Sequence, residues 1–188
     1  MARSNKKSVR VLSGKFKSRV VKTPEGIRPT EQKVRKALFD ILGEFVEGTS
    51  FLELFAGCGA VGIEAMSLGA AHVCFAENDR QCTELITENC ETLGIRSYAL
   101  IPLDALRAVA RLAEDKKKFD IIFLDPPYYK DYAKKTLLTI AGCDIVNSSG
   151  FVIAQHFKND QLEDTYGELS LYTRRRYGTT FLSFYRRQ

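Results

Sequence analysis

Apolar positions along the chain alternate between short continuous runs and longer stretches with helical spacing. The runs SFLELF, HVCFAE, SYALI, FDIIFLD and FVIAQHF are typical of buried strands. Helical spacing appears between them, from about Ala60 to Leu68, Arg80 to Leu93, Ala105 to Ala113 and Tyr132 to Ala141. Such alternation predicts an α/β fold with a mostly parallel, doubly wound sheet and helices on both faces.

Both ends of the sequence depart from this alternation. Val9–Ser13 and Phe16–Val21 predict a small basic β-hairpin, and a helix follows with Thr30 as its N-cap. Near the other end, LSLYTRRRY and TFLSFY are separated only by a two-residue turn, so they predict an antiparallel hairpin at the sheet edge. We therefore expect an extension over residues 1–29 and a main domain over residues 30–188.

Composition narrows the class of protein. The 188 residues are 45% hydrophobic and 27% charged, which is ordinary for a globular domain. No apolar run approaches the ~18 residues needed to span a bilayer, and the first residues lack the apolar core of a signal peptide. The five cysteines show no C-x-x-C spacing. We expect a cytoplasmic protein with no membrane association, no disulfide framework and no metal site.

Charge is unevenly distributed. Residues 1–36 contain 12 Lys/Arg and 2 Asp/Glu, residues 37–169 contain 11 and 21, and residues 170–188 contain 5 and none. An acidic body with two basic ends is typical of a catalytic domain flanked by a surface for polyanions. A basic segment that only aids solubility is the alternative interpretation.

A glycine-rich loop follows the first predicted strand of the body. Gly57-Cys58-Gly59-Ala60-Val61-Gly62 matches G-x-G-x-x-G, and Glu77 ends the next strand, where an acid can bind ribose hydroxyls. A dinucleotide and S-adenosylmethionine (SAM) both have a ribose at that point, so a dehydrogenase and a methyltransferase both remain open. Asp104-Ala105 fits a contact to an adenine edge, or a helix N-cap.

The chemistry is indicated by Asp125-Pro126-Pro127-Tyr128 at the end of the fourth strand. Ligands bind at this edge of open α/β sheets, and the prolines leave the preceding carbonyl free to accept a hydrogen bond. A carboxylate, a free carbonyl and an aromatic ring together suit an exocyclic amine on a flat base. The motif predicts methyl transfer to that amine, on guanine or on adenine.

The sequence resembles the RsmD-type 16S rRNA (guanine-N2)-methyltransferases along nearly its whole length. The motifs that carry the resemblance are Arg10 to Arg19, Arg28-Pro29-Thr30 with Val34 to Phe39, Glu53 to Gly59, Glu77-Asn78-Asp79, Asp125 to Tyr128 and Tyr177 to Thr180. It implies a class I SAM-dependent methyltransferase fold of Rossmann-like type, SAM as the methyl donor and a guanine of small-subunit rRNA as the substrate.

The resemblance also implies roles for individual residues. It places Glu53, Phe55, Gly57 and Glu77 around SAM, and Asp125 with Tyr128 at the target base. Together with their neighbours and the Asp104-Ala105 pair, the expected cofactor contacts are Glu53, Phe55, Ala56, Gly57, Gly59, Glu77, Asn78, Asp104 and Ala105, and the expected catalytic group is Asp125, Pro126, Pro127 and Tyr128. Cys58 stands where the family commonly has Ser, and Gln155 where many members have Glu, which puts a charged role at that position in doubt. His156 beside it is a candidate substrate contact.

The expected RNA-binding residues come from both basic ends. They are Arg10, Lys15, Lys17, Arg19, Lys22, Arg28, Lys33, Arg174, Arg175 and Arg176. We expect a monomer that acts on 16S rRNA within an assembling or assembled 30S subunit. Two alternatives remain open: an adenine-N6 methyltransferase on DNA or rRNA, and a non-catalytic RNA-binding assembly factor.

Overall fold

The structure is a computed structural model and describes residues 8–24, 30–127 and 131–187. The strands are β1 (Ser8–Arg10), β2 (Val20–Lys22), β3 (Ser50–Leu54), β4 (His72–Ala76), β5 (Tyr98–Ile101), β6 (Phe119–Leu124), β7 (Val146–Phe157), β8 (Thr165–Tyr166), β9 (Leu169–Tyr177) and β10 (Thr180–Arg187). The helices are α1 (Gln32–Leu42), α2 (Ala60–Ser67), α3 (Arg80–Leu93), α4 (Ala105–Glu114) and α5 (Tyr132–Ala141). The predicted fold class is confirmed, and a hairpin lies near each end of the chain, as predicted.

Eight strands form the main sheet, in the order β5-β4-β3-β6-β7-β10-β9-β8. The first five in this order are parallel, whereas β10 pairs antiparallel with both β7 and β9. The strand order reverses between β3 and β6, which is where ligands bind in such sheets. The carboxyl ends of β3, β4 and β6 therefore mark the edge at which a site is expected.

Helices cover both faces of the sheet because strand side chains alternate in direction. Along β3, Phe51 packs in the core under α1, α2 and α3, whereas Leu52 and Leu54 pack in the core under α4 and α5. These side chains are fully buried. Glu53 lies at the alternate position, on the α2 side, so the one acidic residue of the strand lies beneath the glycine loop.

The N-terminal hairpin exists, but its strands are shorter than predicted. β1 and β2 span three residues each, and the chain between them docks on α2. The backbone N–H groups of Leu12 and Ser13 donate to the Glu64 carboxylate at 2.8–3.0 Å, and Phe16 N–H donates to Ser67 Oγ at 2.8 Å. Contacts with residues some fifty positions away therefore replace strand pairing in this connection.

A buried ion pair joins the hairpin to the body. Arg35 on α1 lies with its Nε 3.4 Å from Glu64 Oε2, and both side chains are almost completely buried. Arg35 also donates to the carbonyl of Arg10 at 2.6 Å. Burial lowers the pKa of Arg35 and raises the pKa of Glu64. Together with buried Val11 and Val21, this pair packs the described part of residues 1–29 into the shared core.

The start of α1 differs from the prediction. Thr30 does not cap the helix: the N-cap position is Glu31, and the Thr30 hydroxyl donates instead to Asp125 Oδ2 at 3.0 Å. The helix ends at Leu42, and a 3-10 turn follows over Gly43–Val46. By contrast, the bounds of α3 and α5 agree with the sequence.

Within residues 8–24, 30–127 and 131–187, the structure has neither a membrane-spanning helix nor a metal-binding cluster. No helix there is long and apolar enough to cross a membrane. Within the same ranges, no cluster of three or more His, Cys, Asp or Glu side chains could hold a metal ion. The five cysteines are free thiols, four of them buried.

Candidate active site

The glycines in the loop between β3 and α2 and at the start of α2 have two different roles. Gly57 has a φ of +55° with open space where a Cβ would point, so it leaves its surface to a ligand. Gly59, at +76°, and Gly62 face the core instead: a Cβ on Gly62 would lie 2.4 Å from the Phe75 ring. Gly59 therefore packs against the core and is not part of the cleft lining, and its cofactor contact stays a prediction.

Glu53 lies beneath this loop. Its carboxylate accepts hydrogen bonds from Gly62 N–H at 2.8 Å and Val61 N–H at 3.3 Å, the unpaired donors of the first turn of α2. The side chain is only 3% exposed, and burial raises its pKa to about 8. Glu53 thus holds the loop against the sheet while its other side borders the cleft.

Glu77 holds the other side of the loop. Its Oε2 accepts from Gly57 N–H at 2.7 Å, and its Oε1 accepts from the N–H groups of Asn78 and Asp79 at 2.9 Å. The carboxylate is half-buried at the end of β4, in the position that a ribose-binding acid requires. Glu77 and Asn78 both line the cleft, and their contacts to a cofactor stay a prediction.

Phe55 has an unusual backbone conformation at the mouth of β3. Its φ is +58°, a left-handed value that bulky residues rarely adopt. Its ring lies 6.1 Å from the Tyr132 ring, centroid to centroid. Strained backbone of this kind concentrates at functional sites, and Phe55 and Ala56 both line the cleft.

The cleft has a volume of about 470 Å³, within the range of small-molecule sites. Its described lining contains four acidic residues and no Lys or Arg. The residues are Thr23, Pro24, Thr30, Glu31, Glu53, Phe55, Ala56, Gly57, Cys58, Ala60, Glu77, Asn78, Asp125, Pro126, Pro127, Gln155, Thr179 and Thr180. Such a wall favours a cationic ligand.

Asp125 lies at the end of β6, across the cleft from the glycine loop. Its Oδ2 accepts from Thr30 Oγ1 at 3.0 Å and from Gln155 Nε2 at 2.9 Å. Burial raises the pKa of Asp125 to about 7, and the Thr30 hydrogen bond opposes that rise. Pro126 and Pro127 line the same cleft. Tyr128 lies outside the described residues.

Asp104 and Ala105, two of the residues predicted to contact the cofactor, are not part of the cleft lining. Asp104 caps α4, because its Oδ1 accepts from Arg107 N–H at 3.1 Å. Neither Asp104 nor the buried Ala105 lines the cleft. In contrast, Thr23, Glu31 and Thr180 line it without having been chosen from the sequence. Their position depends on chain segments far from the glycine loop, which no local pattern reveals.

The basic residues of the N-terminal hairpin lie at the surface. Lys15, Lys17 and Lys22 are exposed; Lys22 forms an ion pair with Glu88, and Lys15 Nζ lies 5.4 Å from the Phe16 ring centroid. Three further cations behave similarly: Arg10 donates to the Ser18 carbonyl, Arg19 to the Thr92 carbonyl, and Lys33 is exposed on α1. Arg28 lies outside the described residues.

Arg174 differs from its two neighbours. Its Nε donates to Ser183 Oγ at 2.9 Å and its Nη2 to the Leu162 carbonyl at 3.1 Å, so the guanidinium is tied into the sheet. Arg175 and Arg176 are exposed. The guanidinium of Arg174 would have to leave these hydrogen bonds to contact RNA. Arg175 and Arg176 make neither of these bonds and lie at the surface.

His156 belongs to the same buried network. Its Nε2 lies 2.9 Å from Ser183 Oγ, its ring stacks on Phe181 at 5.6 Å, and the side chain is 2% exposed. Burial lowers the pKa of His156, which favours the neutral imidazole. His156 does not line the cleft, so it is not placed for the substrate contact considered from the sequence.

Fold and cleft together define a Rossmann-like protein of the class I methyltransferase type, with its site at the switch point between β3 and β6. The profile of the family described as "Conserved hypothetical protein 95" matches residues 9–186. The chain belongs to this family, and the resemblance to RsmD-type methyltransferases is confirmed.

Individual relatives agree with this assignment. "Putative rRNA methyltransferase YlbH" of Bacillus subtilis is 34% identical over 183 residues, which is 96% of this chain and 100% of that protein. "Ribosomal RNA small subunit methyltransferase D" of Buchnera aphidicola is 29% identical, covering 85% of this chain and 83% of its own. A solved structure, "Putative methyltransferase yhhF from Escherichia coli", superposes with a TM-score of 0.87 at 25% identity, covering 97% and 99% of the two chains.

Proposed function

We propose that this protein is an enzyme that transfers a methyl group from SAM to the exocyclic N2 amine of a guanine in 16S rRNA. The observation that carries the proposal is the shared cleft: Asp125 and the proline pair line the same cavity as Gly57 and Glu77. A cofactor loop and an amine-accepting group that meet in one cleft suit group transfer between two ligands.

The donor set of the cleft fits SAM. Glu77 and Asp125 border a space without described basic side chains, which suits a sulfonium and an ammonium cation. We infer that Glu77 binds the ribose hydroxyls, that Gly57 and Asn78 border the ligand, and that Phe55 and Ala56 form the cleft wall. When bound, SAM supplies an electrophilic methyl group.

The residues of the chain then orient the acceptor. Asp125 and the main-chain carbonyl before the prolines accept the two N–H bonds of the target amine, which directs the nitrogen lone pair into the cleft. In-line transfer at this point depends mainly on positioning. The acceptor nitrogen must lose one proton, and a carboxylate with a pKa of about 7 can take it near neutral pH and return it to water.

The name of the Buchnera relative supports small-subunit rRNA as the substrate of this chain. The exposed cations of the N-terminal hairpin supply phosphate contacts, which position RNA without reading its sequence. We propose that Tyr128 stacks on the target base, that the 30S subunit or its precursor is the setting, and that the protein acts as a monomer in the cytoplasm.

Mass spectrometry of rRNA nucleosides from cells that lack the protein tests this function. We expect loss of one N2-methylguanosine, restored by the wild-type chain and not by Asp125→Ala. Asp115→Ala, at an exposed residue after α4, is the matched control and should restore it. Loss of an N6-methyladenosine instead would support the adenine alternative. An unchanged nucleoside profile, with no SAM binding by the purified protein, would support the assembly factor.

A further inference from the structure

The described residues hold Asp125 by one of its two carboxylate oxygens. The Thr30 hydroxyl and the Gln155 amide both donate to Oδ2, at 3.0 and 2.9 Å. Across the described part of the chain, no donor reaches Oδ1. Two donors occupy the acceptor positions of one oxygen and fix the plane of the carboxylate, because a carboxylate oxygen has about two lone-pair sites. Among the described residues, no group competes with a ligand for the other oxygen.

Among the described residues, the hydrogen bond to Asp125 is the one side-chain hydrogen bond of Gln155. The residue is 4% exposed on β7, the strand next to β6, and its Oε1 is buried with no partner in the described ranges. Burial of an amide costs free energy unless its polar atoms are hydrogen-bonded. The bond from Nε2 to Asp125 is therefore the interaction that the structure associates with this side chain.

Thr30 reaches the same oxygen from a different direction. It precedes α1 and is 95 positions from Asp125 in sequence. Its hydroxyl makes this bond instead of capping α1, whose N-cap residue is Glu31. Two unrelated segments thus converge on one atom. Both side chains line the cleft beside that atom.

We propose that Thr30 and Gln155 are positioning residues, which hold Asp125 so that Oδ1 alone accepts an N–H of the substrate amine. The proposal rests on the function proposed above and specifies which oxygen acts and what holds it. Neither side chain needs to touch the substrate, since each acts through the carboxylate.

The charges around Asp125 make its donors important. Glu31 and Glu77 line the same cleft, and described cations are absent from the lining. Glu53 on β3 faces Asp125 and has its own pKa raised to about 8 by burial, so it stays largely neutral. His156, next to Gln155, is directed to Ser183 and is kept neutral by burial. Neutral donors are therefore the groups that favour the ionised carboxylate. The Thr30 hydrogen bond holds the pKa of Asp125 down, so its removal should raise that pKa. The Gln155 amide donates to the same oxygen, and its loss should act in the same direction.

The test compares Thr30→Val with Thr136→Val. Thr136 on α5 is fully buried and its hydroxyl has no partner in the described ranges, so its replacement removes the same atom without removing a bond. Carbon-13 NMR of the Asp carboxyl carbons, assigned by loss of one signal in Asp125→Asn, reports the pKa of Asp125 in the free protein. Thr30→Val should raise it, Thr30→Ser should restore it, and Thr136→Val should leave it unchanged.

Activity provides the second readout. Thr30→Val and Gln155→Leu should lower kcat by about 10–100-fold through misplacement of the carboxylate. The acid limb of the kcat profile should move to higher pH by the shift seen in NMR, while the SAM dissociation constant stays within about twofold. Gln155→Glu keeps the size of the side chain, replaces the donor with an acid, and should shift that limb further.

Different results would contradict the positioning roles of Thr30 and Gln155 and the proposed methyltransferase function. A pKa of Asp125 that is unmoved in folded Thr30→Val and Gln155→Glu overturns the positioning roles, whatever the substrate is. The same holds if kcat is unchanged, or if Thr30→Ser behaves as Thr30→Val does. An absence of rRNA methylation by the wild-type enzyme, with the NMR shift present, overturns the proposed function instead.

Discussion

The Glu77 carboxylate accepts the Gly57 N–H at 2.7 Å and thereby ties the end of β4 to the glycine loop. Because Glu77 also accepts from the two residues that follow it, one side chain determines the shape of this cleft wall. A ribose that binds here meets an acid whose orientation is already set by backbone donors.

Glu77→Ala should weaken SAM binding by about 1–3 kcal/mol, since it leaves polar partners of a half-buried site unpaired. Isothermal calorimetry measures the effect. Glu84→Ala, in an exposed pair with Arg80 on α3, is the control and should bind as the wild type does. Equal affinity in the two variants would remove Glu77 from the cofactor site.

Gly62→Ala should destabilise the protein by about 1–3 kcal/mol, the usual cost of overpacking. The added methyl carbon would lie 2.4 Å from the Phe75 ring and 2.7 Å from Val73. Gly142→Ala is the control, because Gly142 has a φ of −82° and its Cβ would make ordinary contacts. Urea unfolding measures both; similar losses would contradict the assigned packing.

Glu53→Gln should flatten the dependence of stability on pH. The pKa of Glu53 is about 8 in the folded protein and 4.5 when unperturbed, so the folded state retains a proton that the unfolded state releases. Its contribution is complete below about pH 4.5 and is lost as pH rises toward 8.

Between pH 5 and 8, the wild type should therefore lose at least about 1.4 kcal/mol relative to Glu53→Gln, the value of one pKa unit. Free energies of unfolding from urea titrations at four pH values provide the comparison. Parallel curves for the two proteins would show that Glu53 titrates normally.

Lys15→Gln with Lys17→Gln should reduce the salt dependence of rRNA binding by about 1–2 units of log–log slope, since each phosphate contact contributes roughly 0.7. Lys116→Gln with Lys117→Gln removes the same charge from an exposed loop before β6 and should leave the slope unchanged. Equal slopes in the two double variants would exclude the hairpin as an RNA surface. Deletion of the hairpin is a poorer test, because Val11, Phe16 and Val21 belong to the core.

Local signals were sufficient for some elements and insufficient for others. The bounds of α3 follow from its own ends, where Asp79 accepts from Cys82 N–H and Gly94 adopts a left-handed φ of +69°. Thr30 also had the properties of an N-cap, but a carboxylate 95 residues away offers a stronger partner. The sequence pattern around Thr30 contains no information about a hydrogen-bond acceptor that lies far away in the chain.

The candidate site was predictable to the same extent. Glu77 and Asp125 follow from strand ends and neighbouring motifs, and both line the cleft. The role of Gln155 could not be predicted, because it depends on the register that places β7 beside β6. The sequence predicted an RNA contact for Arg174, which lies in a run of three arginines. In the structure its guanidinium donates to Ser183 on the paired strand β10.

The cleft draws its lining from residues as far apart as Thr23 and Thr180, so it exists only when these distant segments have come together. A ligand that binds there has no comparable affinity for an unfolded or partly folded chain. Mass action then stabilises the folded state, by about 2.7 kcal/mol at a ligand concentration one hundred times the dissociation constant. Supply of the cofactor in a growing cell would thus also govern how long each molecule survives proteolysis.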